Sequence, residues 1–215
     1  MLVATGGCQV VLTTGIEARR DGSGLVRAAV GLDDEALKEL GDPATELRLD
    51  DLRQAGWAVA APAKEEDGLT WVRVSKPFAD VDHAARVAAE LSGPDGPFQD
   101  FRLEREHTLL RTTTRFSGLV DLTGGLAGMS DQGLRDALGD AAPALDAESL
   151  RNRGDVRIRV EARLPGEDPQ VWEPVLGEEL RLAAESDALN VRFLGGIAAA
   201  AVLVLVALVL LKRGR

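Results

Sequence analysis

The sequence is poor in cysteine and in aromatic residues. Its single cysteine, Cys8, excludes an intramolecular disulfide, so the folded part must be held together by its own apolar core. There is no tyrosine, and only three tryptophans occur in 215 residues. Aromatic stacking on a carbohydrate would therefore depend on Trp57, Trp71 or Trp172, and packing in the core or at a sheet edge is the alternative role for each.

The sequence also lacks the motifs of the common enzyme classes. Its two histidines, His83 and His107, have no metal-ligand spacing around them, and no serine lies in a Gly-x-Ser-x-Gly motif. The glycine-rich stretch 124–128 is not followed by Gly-Lys-Ser/Thr, and the acidic clusters at 50–51 and 65–67 lack calcium-loop spacing. We predict a protein without catalytic residues, metal site or cofactor.

Acidic residues outnumber basic residues, above all outside the C-terminus. The net charge is −10, and removing Lys212, Arg213 and Arg215 leaves 22 basic against 35 acidic residues. A chain with this balance repels the phosphate backbone, so we predict that no nucleic acid is bound.

One long apolar run is present. From Phe193 to Leu211, nineteen residues carry no charge, and as a helix they would extend about 28 Å, close to the ~30 Å hydrocarbon thickness of a bilayer. Because alanine, valine and leucine would surround the helix axis, no polar face would remain for water. We predict a single transmembrane helix over 193–211; a buried core helix is the alternative.

The charges that flank this run predict its orientation. Lys212, Arg213 and Arg215 form a short basic flank, 212–215, of the kind that stays in the cytoplasm. We therefore predict a single-pass cell-membrane protein with residues 1–192 outside and the C-terminus in the cytoplasm. A tail-anchored protein with its large domain in the cytoplasm is the alternative.

An outward location requires an export signal. Residues 1–8 are too short for a complete signal peptide, but Thr5-Gly6-Gly7-Cys8 is similar to a bacterial lipobox, in which the cysteine is lipidated. We predict that 1–8 is the remnant of a signal segment, that translation starts upstream, and that Cys8 is the lipid attachment site. The alternative is a small apolar residue near the start of a strand.

Residues 9–192 alternate between hairpin and helix patterns. Apolar and polar residues alternate with the period of a half-buried strand, and glycine-containing turns separate the strands. Strands are predicted at 10–18, 26–32, 57–63, 69–75, 98–104, 108–116, 156–164 and 180–185, and helices at 33–40, 49–54, 81–91 and 131–138. The predicted class is α+β: an antiparallel sheet of hairpins with short covering helices, followed by one transmembrane helix.

The order of these features resembles a known family. A cysteine after a lipobox-like stretch opens into a strand–Asp-Gly-Ser-Gly–strand hairpin. Strand 155–163 leads into Leu164-Pro165-Gly166, then Trp172 and a Leu-Arg-Leu-Ala-Ala strand, and an apolar run with a basic tail closes the chain. Over nearly its whole length the chain resembles the LppM-type lipoproteins of actinobacteria. The resemblance implies an extracytoplasmic domain likened to START or Bet v 1 folds, which enclose an apolar cavity, and binding of envelope glycolipids such as phosphatidylinositol mannosides.

Three functions remain open. The first is a non-catalytic, membrane-anchored envelope protein whose outer domain binds membrane lipids or an envelope glycolipid. The second is an envelope interaction or assembly module whose acidic surface docks a basic protein partner, and the third is a hydrolase with an unrecognised site. A continuous apolar cavity inside the sheet would favour the first function, whereas a filled core with an exposed apolar patch would favour the second.

Overall fold

The computed structural model describes residues 8–40, 49–92, 96–124 and 154–189. The helices in these ranges are α1 (Asp34–Leu40), α2 (Leu49–Gln54) and α3 (Val81–Ser92). The strands are β1 (Cys8–Ala18), β2 (Gly24–Leu32), β3 (Ala58–Val59), β4 (Ala63–Lys64), β5 (Thr70–Phe78), β6 (Phe98–His107), β7 (Arg111–Asp121), β8 (Gly154–Arg163), β9 (Gln170–Trp172) and β10 (Glu179–Leu189).

A large sheet contains seven of the described strands. Its order is β3-β5-β2-β1-β8-β9, and β4 pairs with the same edge of β5 as β3 does. The β1–β2 hairpin closes through a turn in which Gly22 has a φ of 91°, a conformation that glycine adopts without steric cost. β1 and β8 lie parallel, so this sheet is mixed.

A smaller sheet contains the described strands β10, β7 and β6 in that order, all antiparallel. A hairpin joins β6 to β7, and β10 returns along the full length of β7 from Glu179 opposite Asp121 to Leu189 opposite Arg111. The C-terminal end of β10 therefore lies beside the β6–β7 turn.

The core lies between the inner faces of the two sheets. Inward residues of the large sheet (Ile16, Val26, Val74, Ile158 and Val160) and of the small sheet (Leu103, Phe116, Val120 and Leu182) form one buried cluster. α3 lies beside β6 and buries Ala84, Val87 and Ala88 in this cluster. The Ser92 hydroxyl at the end of α3 accepts a 2.9 Å hydrogen bond from the Phe98 backbone N–H, which fixes the start of β6.

Within the described ranges, strands and helices lie where the hairpins and the helices at 33–40, 49–54 and 81–91 were predicted, but the predicted fold class is wrong. The strands do not form one antiparallel sheet of hairpins covered by helices; they form two sheets, one of them mixed, and few helices accompany them. The error arose because β8 and β10 have the same alternating pattern and were placed in one sheet. β8 instead pairs in parallel with the distant β1, and β10 pairs with β7.

The predicted C-terminal transmembrane helix gains no support. Within the ranges that the structure describes, no helix is long and apolar enough to cross a membrane. The run from Phe193 to Leu211 and the basic residues Lys212, Arg213 and Arg215 lie outside those ranges. The same holds for residues 1–7 and for the helix predicted at 131–138.

Candidate functional site

The outer face of the large sheet is open to solvent and is lined by small and charged side chains. The strand registers place Gly15 opposite Arg27 on one side and opposite Glu161 on the other, and they place Ala29 between Thr13 and Arg73. Because neighbouring residues in register share a face of a sheet, these side chains lie together on the face away from the core.

A groove with a volume of about 470 Å³ crosses this face over β1, β2 and β5. We call it the outer groove. Its lining residues come from five strands and the segment after β3: Thr13, Thr14, Gly15, Ile16, Glu17, Arg27, Ala28, Ala29, Ala58, Val59, Ala60, Arg73, Val74, Ser75, Glu161 and Arg163. The inward residues among them can reach the groove only with their backbone, because their side chains belong to the other face.

The floor of the groove is low because its outward residues are small. Gly15, Ala29 and Ala58 project one carbon or none above the sheet, so the groove is bounded there by backbone and methyl groups. Gly15 also lies tightly against β8: a Cβ atom at position 15 would lie 2.9 Å from the carbonyl oxygen of Glu161. A larger residue would therefore both fill the groove and push β1 away from β8.

Three arginines line the groove. Arg27 forms a 2.6 Å ion pair with Glu17, and Arg163 lies 3.4 Å from Glu161. Arg73 donates two hydrogen bonds, of 2.6 and 3.0 Å, to the carboxylate of Glu65. All three arginine side chains are about half exposed, so these ion pairs hold the guanidinium groups in place but contribute little stability.

Trp71 positions Arg73 beside the groove. The Arg73 guanidinium carbon lies 4.9 Å from the centre of the Trp71 ring, within cation–π distance. The indole N–H donates a 2.9 Å hydrogen bond to Asp67, and the Asp67 carboxylate also accepts a bond from the backbone N–H of Leu69. These hydrogen bonds, the Leu69 bond first, lower the pKa of Asp67 below its ordinary value.

The arrangement suits a ligand with both anionic and apolar parts. Each guanidinium group has five N–H donors, and the neighbouring carboxylates occupy one or two of them, which leaves donors free for an added carboxylate or phosphate. The backbone and methyl floor offers no charge and suits an apolar or weakly polar group. The lining holds three arginines and two glutamates, and Glu65 beside it pairs with Arg73, so the groove carries no excess of negative charge on a chain whose net charge is −10.

Among the residues that the structure describes, a small cavity lies on the inner side of the large sheet. Where α3 and β6 meet β1 and β2, the cavity between Thr14, Ile16, Ala88 and Phe101 measures about 10 Å³, at the lower limit for one water molecule. The enclosed apolar cavity implied by the family resemblance is therefore not found at this place, and the larger space lies on the opposite face.

The three tryptophans have different environments. Trp57 is 3% exposed and its indole N–H donates a 3.1 Å bond to Glu90, which makes it a core residue. Trp172 packs on Phe116 with ring centres 6.2 Å apart. Of these three, only Trp71 belongs to the outer face that contains the groove. Trp57 and Trp172 therefore serve packing, and Trp71 is the one tryptophan of the three that lies near the proposed ligand site.

The two histidines lie apart and each has a local partner. His83, near the start of α3, accepts a 3.3 Å hydrogen bond from the backbone N–H of Ala79, and His107, at the end of β6, lies 2.9 Å from the Thr112 hydroxyl. Within the part of the chain that the structure describes, no three acidic, histidine or cysteine side chains are grouped to hold a metal ion. Cys8 begins β1; the prediction that it carries a lipid stays untested.

Most of the groove residues were not identified from the sequence. Alternation in the strand predicted at 156–164 places its polar residues on one face, and Glu161 and Arg163 of β8 do line the same groove. The pattern held no signal that β1 would lie beside β8, so the position of Gly15 at the floor of a groove was missed. The one available signal was the small size of outward residues, Gly15 and Ala29, between charged ones.

Comparison with known proteins gives a likeness to a solved structure and no match to a family. No family model matches the chain, and no curated protein matches it. Among solved structures, the chain is similar to the NMR structure of the folded domain of LppM from Mycobacterium tuberculosis, with a TM-score of 0.44 and 10% identity over 88% of this chain and 96% of that one. The solved domain, not this chain, bears the name of the family that the sequence resembles. Membership of this chain in that family stays a prediction.

Proposed function

We propose that the outer groove binds an anionic amphiphile of the cell envelope, a lipid or glycolipid, without catalysis. The observation that carries this proposal is the groove itself: about 470 Å³ over a floor of Gly15, Ala29 and Ala58, with Arg27, Arg73 and Arg163 along its sides. A volume of this size falls within the range of small-molecule sites, about 300–1,000 Å³.

The charges support an anionic headgroup. Arginine binds carboxylates and phosphates in a planar, bidentate geometry, and three arginines in one groove can share the charge of a single group. Glu17 and Glu161 hold Arg27 and Arg163 near the groove in the absence of ligand, which reduces the entropy lost on binding.

The floor supports an apolar portion of the same ligand. Ala29 and Ala58 present methyl groups, and Gly15 presents backbone, so a glycerol or the first part of an acyl chain would displace water there without leaving a charge unpaired. Because the groove is open, the remainder of a long chain would stay outside it. This mode differs from the enclosed cavity that the family resemblance implies.

The envelope location is part of the proposal. It is supported by the lipobox-like residues before Cys8 and by the LppM-type order of motifs in the sequence. Lipidation of Cys8 and an extracytoplasmic position for the folded domain belong to the same hypothesis.

A second candidate function is docking of a protein. The filled space behind β1 and β2 and the net charge of −10 favour an interaction module with a basic partner. The outer groove does not favour this alternative as the main role, because its lining holds three arginines and no excess of acidic residues for a basic partner to contact.

Short-chain lipids separate these functions. Isothermal titration of the full-length chain with dihexanoyl-phosphatidylglycerol, below its aggregation concentration, should show saturable binding, and dihexanoyl-phosphatidylcholine should bind at least tenfold more weakly. Equal affinity for both lipids, or saturable binding of neither, would contradict the proposal. Binding of a lysine-rich peptide in place of either lipid would support the docking alternative.

A further inference from the structure

The small sheet has two edge strands that differ in their protection. β6, at one edge, has a register shift between Gln99 and Arg102, where Asp100 has a φ of 52°, and α3 packs beside it. Bulges and covering helices are common means by which a sheet edge is kept from pairing with another chain. β10, at the other edge, pairs with β7 without a register shift from Glu179 to Leu189, and none of the described strands lies on its outer side. The outer edge of β10 therefore offers a regular row of backbone donors and acceptors.

One outward side chain of β10 has no ion-pair partner among the described residues. Arg181 is exposed, and its cross-strand neighbour on β7 is Leu119, which carries no charge. Further along β10, Glu185 accepts a 2.8 Å bond from Arg115 through one carboxylate oxygen, and its other oxygen has no partner in the part of the chain that the structure describes. Arg181 can therefore bind a carboxylate that lies beyond the edge, and Glu185 can offer one.

A second copy of β10 would satisfy both residues. If two copies lie antiparallel about a two-fold axis at Ala183, Arg181 of each copy lies directly opposite Glu185 of the other, because both residues are two positions from the axis. Opposite charges at directly opposed positions stabilise a pair of strands. The two-fold axis makes this contact twice.

Neighbouring positions of the axis fit the charges less well. An axis at Arg181 or at Glu185 would bring two like charges together, and an axis at Leu182 would oppose Glu185 to another glutamate. An axis at Ala184 would oppose Arg181 to Asp187, but both carboxylate oxygens of Asp187 already accept bonds from side chains of β7. The charge pattern therefore favours the axis at Ala183.

The other positions of β10 are compatible with this register. Ala183 is small, so its two copies can meet at the axis. Glu179 would face Asp187 of the second copy, whose charge is compensated by an arginine of its own copy. On the inward side, Leu182 lies opposite Ala184 of the second copy, so apolar residues meet apolar residues.

Exposed apolar residues at opposite ends of β10 also come together in this arrangement. Leu189 is 62% exposed at the end of the strand, and Val175 is 58% exposed in the turn before its start, where the Glu178 N–H donates a 3.1 Å bond to the Val175 carbonyl. Leu189 of the second copy would lie opposite Gly177, in the same turn as Val175. Antiparallel pairing therefore covers apolar surface that one copy alone leaves exposed, whereas parallel pairing would keep the two ends apart.

We propose that β10 pairs with β10 of a second copy, antiparallel about a two-fold axis at Ala183, and joins the two small sheets into one continuous sheet. Backbone hydrogen bonds along the edge would supply the contact, and the pairs between Arg181 and Glu185 would select the register. The outer groove lies over β1, β2 and β5 of the large sheet, so this pairing uses none of its residues and does not depend on a ligand.

Cysteine cross-linking tests the position of the axis. The full-length chain with Cys8→Ser and Ala183→Cys is oxidised with copper phenanthroline and separated on a non-reducing gel. Directly opposed residues of antiparallel strands have Cα atoms about 4.5–5.5 Å apart, which suits a disulfide. The matched control carries Cys8→Ser and Ser117→Cys, because Ser117 is exposed opposite Ala183 on β7. Its two copies would be three strand spacings apart, about 14 Å, which is too far for a disulfide.

The two positions should differ in their yield of dimer. Position 183 should form a disulfide-linked dimer, position 117 should form at least tenfold less, and sedimentation equilibrium of the Cys8→Ser chain should give the mass of a dimer. Adding Arg181→Glu to the chain with Ala183→Cys should lower the yield about tenfold, because both ion pairs become repulsive. Equal yields at the two positions, a monomer mass, or an unchanged yield with Arg181→Glu would overturn the proposal. A dimer without a cross-link at position 183 would also overturn it, because that dimer would use another surface.

Discussion

The two faces of the large sheet are built from alternate residues of the same strands, but they have different contents. Inward positions such as Ile16, Val74 and Val160 are branched and buried, and little space remains around them. Outward positions such as Gly15 and Ala29 are small, and a groove of about 470 Å³ lies over them. The comparison shows that burial holds this sheet together on one side, while small residues and paired charges on the other side leave room for a ligand.

The largest effect on stability should come from truncating a buried side chain on the inner face of the large sheet. Ile158→Ala removes three carbons from a side chain that is 3% exposed, and such truncations cost about 2–5 kcal/mol. Urea unfolding of the full-length chain, followed by tryptophan fluorescence, measures the loss.

The adjacent outward residue is the matched control. Arg159 forms an exposed ion pair with Glu173, so Arg159→Ala should change the free energy of unfolding by no more than about 0.5 kcal/mol. Similar losses for the two variants would show that the faces do not differ as described.

A smaller effect should follow from removing charge on the outer face. The double variant Arg27→Gln and Arg163→Gln removes two groove arginines and leaves Glu17 and Glu161 without their partners. Affinity for dihexanoyl-phosphatidylglycerol should fall at least tenfold, which corresponds to about 1.4 kcal/mol. Arg181→Gln, at an exposed position on β10, should leave the affinity unchanged; an equal fall there would assign the effect to net charge alone.

The smallest effect concerns pH. Because the fold lowers the pKa of Asp67 below its usual 3.8, the folded state binds this proton less readily than the unfolded state does. Its contribution to stability is therefore complete above the unfolded pKa and is lost as the pH falls through the lowered folded pKa.

Asp67→Asn removes the charge and keeps one acceptor oxygen, so the side chain can accept from Leu69 or from Trp71 but not from both. The variant should be less stable than the wild type at neutral pH, and the difference should shrink as the pH is lowered from about 5 to about 2. Urea unfolding across this range measures it. A difference that stays constant with pH would mean that the carboxylate charge does not support this turn.

Sequence patterns predicted the local structure of this protein well, since period-two alternation and glycine turns depend on neighbouring residues. The hairpin of β1 and β2 and the helix α3 illustrate this, because their boundaries differ from the predicted ones by a few residues at most. Alternation also predicted which residues of β8 face outward.

The partners of the strands could not be predicted in the same way. Alternation states which face a side chain occupies but not which strand lies beside it, and β1 and β8 are separated by more than a hundred residues. The outer groove depends on this pairing, since Gly15 and Glu161 meet only there. The turn between β6 and β7 was missed for another reason: Leu109 and Leu110 were assigned to the strand predicted at 108–116, although they precede β7.

Filling the groove is the most direct test of the central claim. Ala29→Phe places a ring on the floor of the groove, at an outward position, and Ala183→Phe places the same ring on the exposed face of β10. Titration of both full-length variants with dihexanoyl-phosphatidylglycerol should show at least a tenfold loss of affinity for Ala29→Phe and wild-type affinity for Ala183→Phe. Wild-type affinity in both variants would show that the ligand binds elsewhere and would contradict the assignment of the outer groove.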